Sequence, residues 1–178
     1  KYKFNCLVLQ ETRSEQGFSS NGNILRFCSG HSGRHLGIEI WIDIETPFAF
    51  GRKGKPYCFQ SNHFQIAHSD PRRMLLRCDT GFWSFWLLAI HAPHSGYTAQ
   101  ERAEWWNSTT EIVDQHHDGD ALFLAGDANA APGPADHKVV CREGFATSAN
   151  TNDFRQILQH FDLHLPATGP AHVGDNAT

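Results

Sequence analysis

No stretch of this chain approaches the roughly 18–20 consecutive apolar residues that a membrane-spanning helix needs, and no signal-peptide pattern opens it, so no membrane partner is expected. Cysteine is sparse and unpaired in pattern. The five cysteines stand apart at 6, 28, 58, 78 and 141, with no Cys-x-x-Cys among them. An odd, scattered set argues against a disulfide framework and points to a reducing compartment, nuclear or cytoplasmic. Cys6 and Cys78 fall within apolar runs and are expected to be buried thiols. Positive charge is also short: 15 Lys and Arg face 19 Asp and Glu, a net charge of −4, which excludes a strongly basic nucleic-acid binder.

What is present is an ordinary globular composition. The chain has 178 residues, 40% of them hydrophobic and 19% charged, enough for one domain over 1–178 with a core of its own. The charge is uneven. Residues 1–80 hold eleven Lys and Arg against seven Asp and Glu, and residues 81–178 hold four against twelve. A basic half beside an acidic half suits phosphate binding next to metal-binding carboxylates as well as ordinary surface variation.

Apolar periodicity predicts short strands over 4–9, 24–27, 36–44, 64–67, 73–78, 83–90 and 121–125. The run 36–44 alternates Leu36, Ile38, Ile40, Ile42 and Ile44 with Gly37, Glu39, Trp41 and Asp43, a strand with two unlike faces. Asp79-Thr80-Gly81 reads as a hairpin turn and residues 51–56 as an exposed loop. A helix is expected after Thr98, where Glu101 completes a capping box and Trp105 with Ile112, or Trp106 with Val113, share a face. A second helix is expected over 153–161, capped by Thr151 or Asn152. Residues 166–178 read as irregular. Many short strands with helices interspersed imply an α/β (α+β) sandwich, packed sheets with helices outside.

Three segments share one design, a buried strand delivering polar residues at its C-terminal end: Leu7-Val8-Leu9-Gln10-Glu11-Thr12, Leu87-Leu88-Ala89-Ile90-His91-Ala92-Pro93-His94 and Leu122-Phe123-Leu124-Ala125-Gly126-Asp127-Ala128-Asn129. Strand ends hold side chains rigidly at a sheet rim, within reach of a substrate. Singly, Glu11 reads equally as a solvated carboxylate, His91 as a core histidine, and Asp127 with Asn129 as a turn. Arg72 and Arg73 suit a phosphate through the paired donors of a guanidinium, or a solvated strand start. His94 is a candidate helper of His91. Arg52, Lys53 and Lys55 read as solvated, His116-His117 as helix-end residues favoured by the dipole, and His31 with His35 lacks a third zinc ligand.

Taken together, Gln10-Glu11-Thr12, His91-Ala92-Pro93-His94-Ser95-Gly96 and Gly126-Asp127-Ala128-Asn129, followed by residues 154–168, resemble the endonuclease/exonuclease/phosphatase, or deoxyribonuclease I-like, superfamily. The flavour is that of the endonuclease domains of non-LTR retroelements. The resemblance implies a four-layer sandwich of two packed, mostly antiparallel sheets flanked by helices. It implies that Glu11 binds a catalytic Mg²⁺ or Mn²⁺, since a hard cation prefers carboxylate oxygen. Asp127 would orient or deprotonate the attacking water. Asn129 would donate to the phosphate or help fix metal and nucleophile. His91 would contact the phosphate or assist the leaving group, and it argues against the abasic-site branch, which carries Tyr in this region.

The resemblance has gaps. The family's first strand carries an Asn and its last segment a Ser-Asp-His element. Neither is matched, and Gly174-Asp175-Asn176 is no substitute by position. The expectation is a partial domain, incomplete at both termini, with little nuclease activity in isolation. Nucleic acid is the expected substrate. A small phosphorylated substrate, or a non-catalytic binding module on the same scaffold, are the competing readings.

Overall fold

A computed structural model describes residues 4–33, 36–116, 119–136, 139–140 and 145–166. The chain groups into two compact units, one of residues Lys1–His91 with Gln115–Gly126, the other of Ala92–Asp114 with Asp127–Thr178.

The first unit is built mostly from antiparallel strands. In chain order these are β1 (Cys6–Gln10), β2 (Gly17–Asn21), β3 (Ile24–Cys28), β4 (Ile38–Asp43), β5 (Ala49–Phe50), β6 (Pro56–Tyr57), β7 (Phe64–Asp70), β8 (Arg73–Asp79), β9 (Ser84–His91) and β10 (Ala121–Asp127), the last reaching its end at the boundary of the unit. One sheet has the order β1-β4-β3-β2, a second the order β10-β9-β8-β7, and β5 pairs only with β6. Registers follow the apolar pattern: Val8 and Phe27 flank Ile40 on either side, and Leu75 lies opposite Leu88.

The two sheets share one core. Leu25, Phe27, Ile38, Ile40 and Ile42 from the first sheet pack with Met74, Leu76, Cys78, Phe85, Leu87 and Ala89 from the second. The alternation in β4 sends its three isoleucines into that core, where each buried side chain contributes about 1.5–3 kcal/mol. β9 is buried on both faces, which accounts for its nearly unbroken apolar run over residues 85–90.

The second unit carries the helices. α1 (Ala99–His116, its last two residues in the first unit) begins as the sequence predicts. Thr98 Oγ1 accepts from the Glu101 amide at 3.2 Å, and the Glu101 carboxylate accepts from the Thr98 amide at 2.8 Å. Trp106 and Val113 form its buried face, with Thr109 between them, whereas Trp105 and Ile112 are only half-buried. α2 (Thr151–His160) buries Phe154, Ile157 and Leu158, and Phe154 meets Trp106 with ring centroids 5.7 Å apart. Mostly antiparallel sheets and helices together make the fold α+β.

Several local expectations change. The second helix starts two residues earlier than predicted, at Thr151, and Asn150 is its N-cap by position but makes no side-chain capping bond, its amide donating to the Pro93 carbonyl instead. β2 was not anticipated: its sequence GFSSN has only Phe18 as a large apolar residue, and the strand is an exposed edge. Leu36 stands outside β4 with φ +67, beside Gly37 at φ +100. Cys6 is exposed, unlike Cys78, because β1 is an edge strand. β10 is half exposed for the same reason, with Phe123 at 47%. Cys6, Cys28, Cys58 and Cys78 are free thiols, and Cys141, His35, His117 and residues 167–178 lie outside the described residues.

Candidate active site

In the first unit, Glu11 and His91 come together. β1 ends at Gln10, and Glu11 follows with φ +56, a left-handed conformation that costs a non-glycine residue about 1 kcal/mol or more. Two backbone bonds hold the turn. The Thr12 amide donates to the Gly37 carbonyl (3.3 Å), and the Arg13 amide to the Leu36 carbonyl (3.2 Å). The consequence is an exposed carboxylate, 67% accessible, whose Oε1 lies 4.0 Å from Nε2 of His91. His91 is the buried last residue of β9.

The backbone of His91 is fixed on both sides by Arg72. The His91 amide donates to the Arg72 carbonyl at 2.8 Å, and Nη1 of Arg72 donates to the His91 carbonyl at 3.0 Å. Arg72 is in turn set by Asp70, whose Oδ1 accepts from the Arg72 amide (2.8 Å) while its Oδ2 accepts from Nε of Arg73 (2.8 Å) and pairs with Nε2 of His68 (2.9 Å). Burial pushes the Asp70 carboxyl up, but the His68, Arg72 and Arg73 contacts outweigh it and hold the group below its ordinary range. The Gly37 amide donates to the Pro71 carbonyl at 2.9 Å, which ties the Glu11 turn to the same segment. Arg72 and Arg73, singled out as phosphate donors, thus have at least part of their donor capacity engaged within the protein.

In the second unit, Asp127 and Asn129 form a turn around Ala128. Asp127 Oδ1 accepts from the Asn129 amide at 2.8 Å, and Asn129 takes φ +45, a conformation Asn tolerates better than most residues. Asp127 is exposed. Nδ2 of Asn129 donates to the Ala92 carbonyl at 2.8 Å, and the Ala92 amide donates to the Asp127 carbonyl at 2.8 Å. The predicted phosphate donor is therefore at least partly spent on holding the 92–94 segment. His94 is exposed, accepts from the Gly96 amide through Nδ1 (2.9 Å) and meets the Tyr97 ring edge-on at 5.1 Å.

Sequence reasoning missed Asn150. It is fully buried, and its Nδ2 donates to the carbonyls of Pro93 (2.7 Å), Asn129 (3.1 Å) and Ala128 (3.4 Å). Its only signal in sequence is a polar residue just before an amphipathic helix, which reads as a helix cap.

Arg52, Lys53 and Lys55 are exposed. His31 lies 3.4 Å from the exposed carboxylate of Glu15. Among the described residues, no three or more His, Cys, Asp or Glu side chains cluster as a metal site would require of protein ligands alone. A single exposed carboxylate such as Glu11 nevertheless fits Mg²⁺, which commonly keeps several waters and uses one or two protein carboxylates together with substrate phosphate. No helix among the described residues is long and apolar enough to cross a membrane.

A solved structure shares this fold. An AP endonuclease, LMAP, from Leishmania major superimposes with a TM-score of 0.51 at 14% identity, over 88% of this chain and 57% of that one. The endonuclease domain of TRAS1, a telomere-specific non-LTR retrotransposon, gives a TM-score of 0.47 at 13% identity, over 79% of this chain and 54% of that one. The chain thus spans little more than half the length of either. No curated protein sequence is detectably similar to it. The model of the Endonuclease/Exonuclease/phosphatase family matches residues 2–177, nearly the whole chain, and the chain belongs to that family.

Proposed function

We propose that this protein hydrolyses phosphodiester bonds in nucleic acid with the help of Mg²⁺ or Mn²⁺. The observation that carries the reading is the Glu11–His91 pair, a strained, exposed carboxylate 4.0 Å from a buried strand-end histidine in a chain of this family. Glu11 is the residue that would hold the metal. A bound divalent cation supplies charge neutralisation at the phosphate and stabilises the departing oxygen.

The chain's own residues supply the rest. In hydrolysis the oxygen of water bonds to phosphorus, the bond from phosphorus to the leaving oxygen breaks, and the water loses a proton. Asp127 is assigned that proton by its place in the Gly-Asp-x-Asn motif. Its Oδ1 already accepts from the Asn129 amide, which leaves Oδ2 the less encumbered acceptor. General base catalysis of this kind is worth about 10²–10⁴-fold. The departing oxygen takes up a proton, and His91, held rigidly by Arg72, is assigned either to supply it or to contact the phosphate.

Nicking of supercoiled plasmid in Mg²⁺ or Mn²⁺ tests the reading. The expected result is slow nicking that EDTA abolishes and that Glu11→Gln reduces at least about 100-fold. No nicking above the Glu11→Gln background, or nicking indifferent to EDTA, overturns it. EDTA-sensitive hydrolysis of a soluble phosphoester without plasmid nicking would assign the site to a small phosphorylated substrate instead.

A further inference from the structure

We infer that Asn150 is a positioning residue for Asp127 and Asn129, a role that rests on the hydrolytic reading above. Three observations point to it. Asn150 is completely buried although it is polar. One amide nitrogen serves three carbonyls from two separate segments, Pro93 on one side and Ala128 and Asn129 on the other. Its own Oδ1 is buried with no hydrogen-bond partner among the described residues. A buried acceptor left unsatisfied costs about 1–3 kcal/mol. A side chain kept there at that cost is kept for what its NH₂ group does.

What the NH₂ group does is geometric. The Asp127–Asn129 turn and the 92–93 segment already exchange two bonds, Ala92 amide to Asp127 carbonyl and Asn129 Nδ2 to Ala92 carbonyl. Asn150 adds a third tie from the base of α2, from behind the turn. Three ties at different points fix the orientation as well as the distance of the backbone turn that carries the Asp127 carboxylate. Thr151 extends the same support: its Oγ1 donates to the Ala131 carbonyl (2.9 Å) and accepts from the Ser148 amide (2.7 Å). An aspartate at 150 would place carboxylate oxygens against three carbonyls, replacing attraction with repulsion.

The test compares Asn150→Ala, the milder Asn150→Ser, whose hydroxyl keeps one donor, and the wild-type chain. Hydrogen exchange is followed at residues 92–94 and 127–131, and plasmid nicking is measured in parallel, alone and with Asp127→Ala. Exchange in those two segments is expected to quicken at least about tenfold in Asn150→Ala, less in Asn150→Ser, and little elsewhere. Turnover is expected to fall about 10–100-fold with little change in KM. In the Asp127→Ala background the further loss is expected to shrink, because the part of the effect that runs through Asp127 is gone. Unchanged exchange in both segments, or an equal loss with and without Asp127, overturns the inference. If the wild type cleaves nothing, the hydrolytic reading fails by itself, and exchange still decides whether Asn150 holds the turn.

Discussion

A β-carbon placed on Gly126 would stand 2.0 Å from the carbonyl oxygen of Ile90. β10 approaches β9 so closely at this point that only glycine fits, and the backbone there has φ +134, which L side chains rarely adopt. The glycine of the Gly-Asp-x-Asn motif therefore has a steric reason, independent of any contact with substrate. Gly126→Ala is expected to lower stability by more than about 3 kcal/mol, since the clash is with backbone. Gly81→Ala, at φ +82 with nothing within 4 Å, is expected to cost only about 1 kcal/mol of conformational strain. Urea denaturation of the two variants separates clash from strain, and equal midpoints would contradict the close approach.

Glu39 gives the fold a pH dependence. The periodicity of β4 places it on the face opposite the isoleucines, yet its side chain is 3% exposed, because Arg26, Ser14 and Trp41 close over it. Arg26 binds both carboxylate oxygens, at 2.7 and 2.5 Å. The Arg26 hydrogen bonds chiefly hold the Glu39 carboxyl down at about 2 against an ordinary 4.5. Burial opposes them, and Ser14 and Trp41 assist. A carboxyl with a depressed folded pKa contributes stability in full above about pH 4.5, and that contribution is lost as pH falls toward 2. The loss amounts to roughly 3 kcal/mol. Glu39→Gln is expected to be less stable at neutral pH and to lose less stability across that window. Unfolding followed by fluorescence between pH 2 and 5 measures both, and parallel curves for the two proteins would refute the assignment.

Glu11 is expected to trade stability against activity. Glu11→Gly relieves the left-handed strain and is expected to raise stability by up to about 1 kcal/mol, after allowing for the greater freedom of glycine in the unfolded chain. Glu11→Gln keeps the strain and is expected to leave stability within about 0.5 kcal/mol of wild type. Both are expected to lose metal-supported nicking. Thermal melts beside the nicking assay check the pairing, and a destabilised Glu11→Gly would show that the turn is not strained.

Arg72→Met tests what that guanidinium is for. Loss of its bond to the His91 carbonyl is expected to cost about 1–2 kcal/mol of stability and to lower turnover. The salt dependence of plasmid binding is expected to stay as in wild type. A salt slope reduced by about 1, with stability unchanged, would instead make Arg72 a phosphate contact.

Much of this was legible in the sequence because it is local. The isoleucines of β4 alternate, Thr98 and Glu101 are three residues apart, and the three polar strand ends follow apolar runs directly. Each is settled by neighbours along the chain: side chains alternate in a strand, and a capping box closes within one turn. The strand ends were readable as candidates, but their bonding was not. Nothing local says that Arg72 braces His91, or that Asn129 turns an amide to Ala92 37 residues away. The partly polar edges β2 and β10 and the exposed Cys6 were misjudged or missed because edge position is a property of the assembled sheet.

The sequence by itself determined the family, the α+β class, the strands of the core and the order of the residues proposed for chemistry. Tertiary structure decided that Glu39 is buried under Arg26, that Gly126 must be glycine, and that Asn150 reaches Pro93 across 57 residues of chain. The physical reason is common to all three. Periodicity and capping depend on bonds between near neighbours, whereas a buried carboxylate, a backbone clash and a shared carbonyl exist only once distant segments have been brought together.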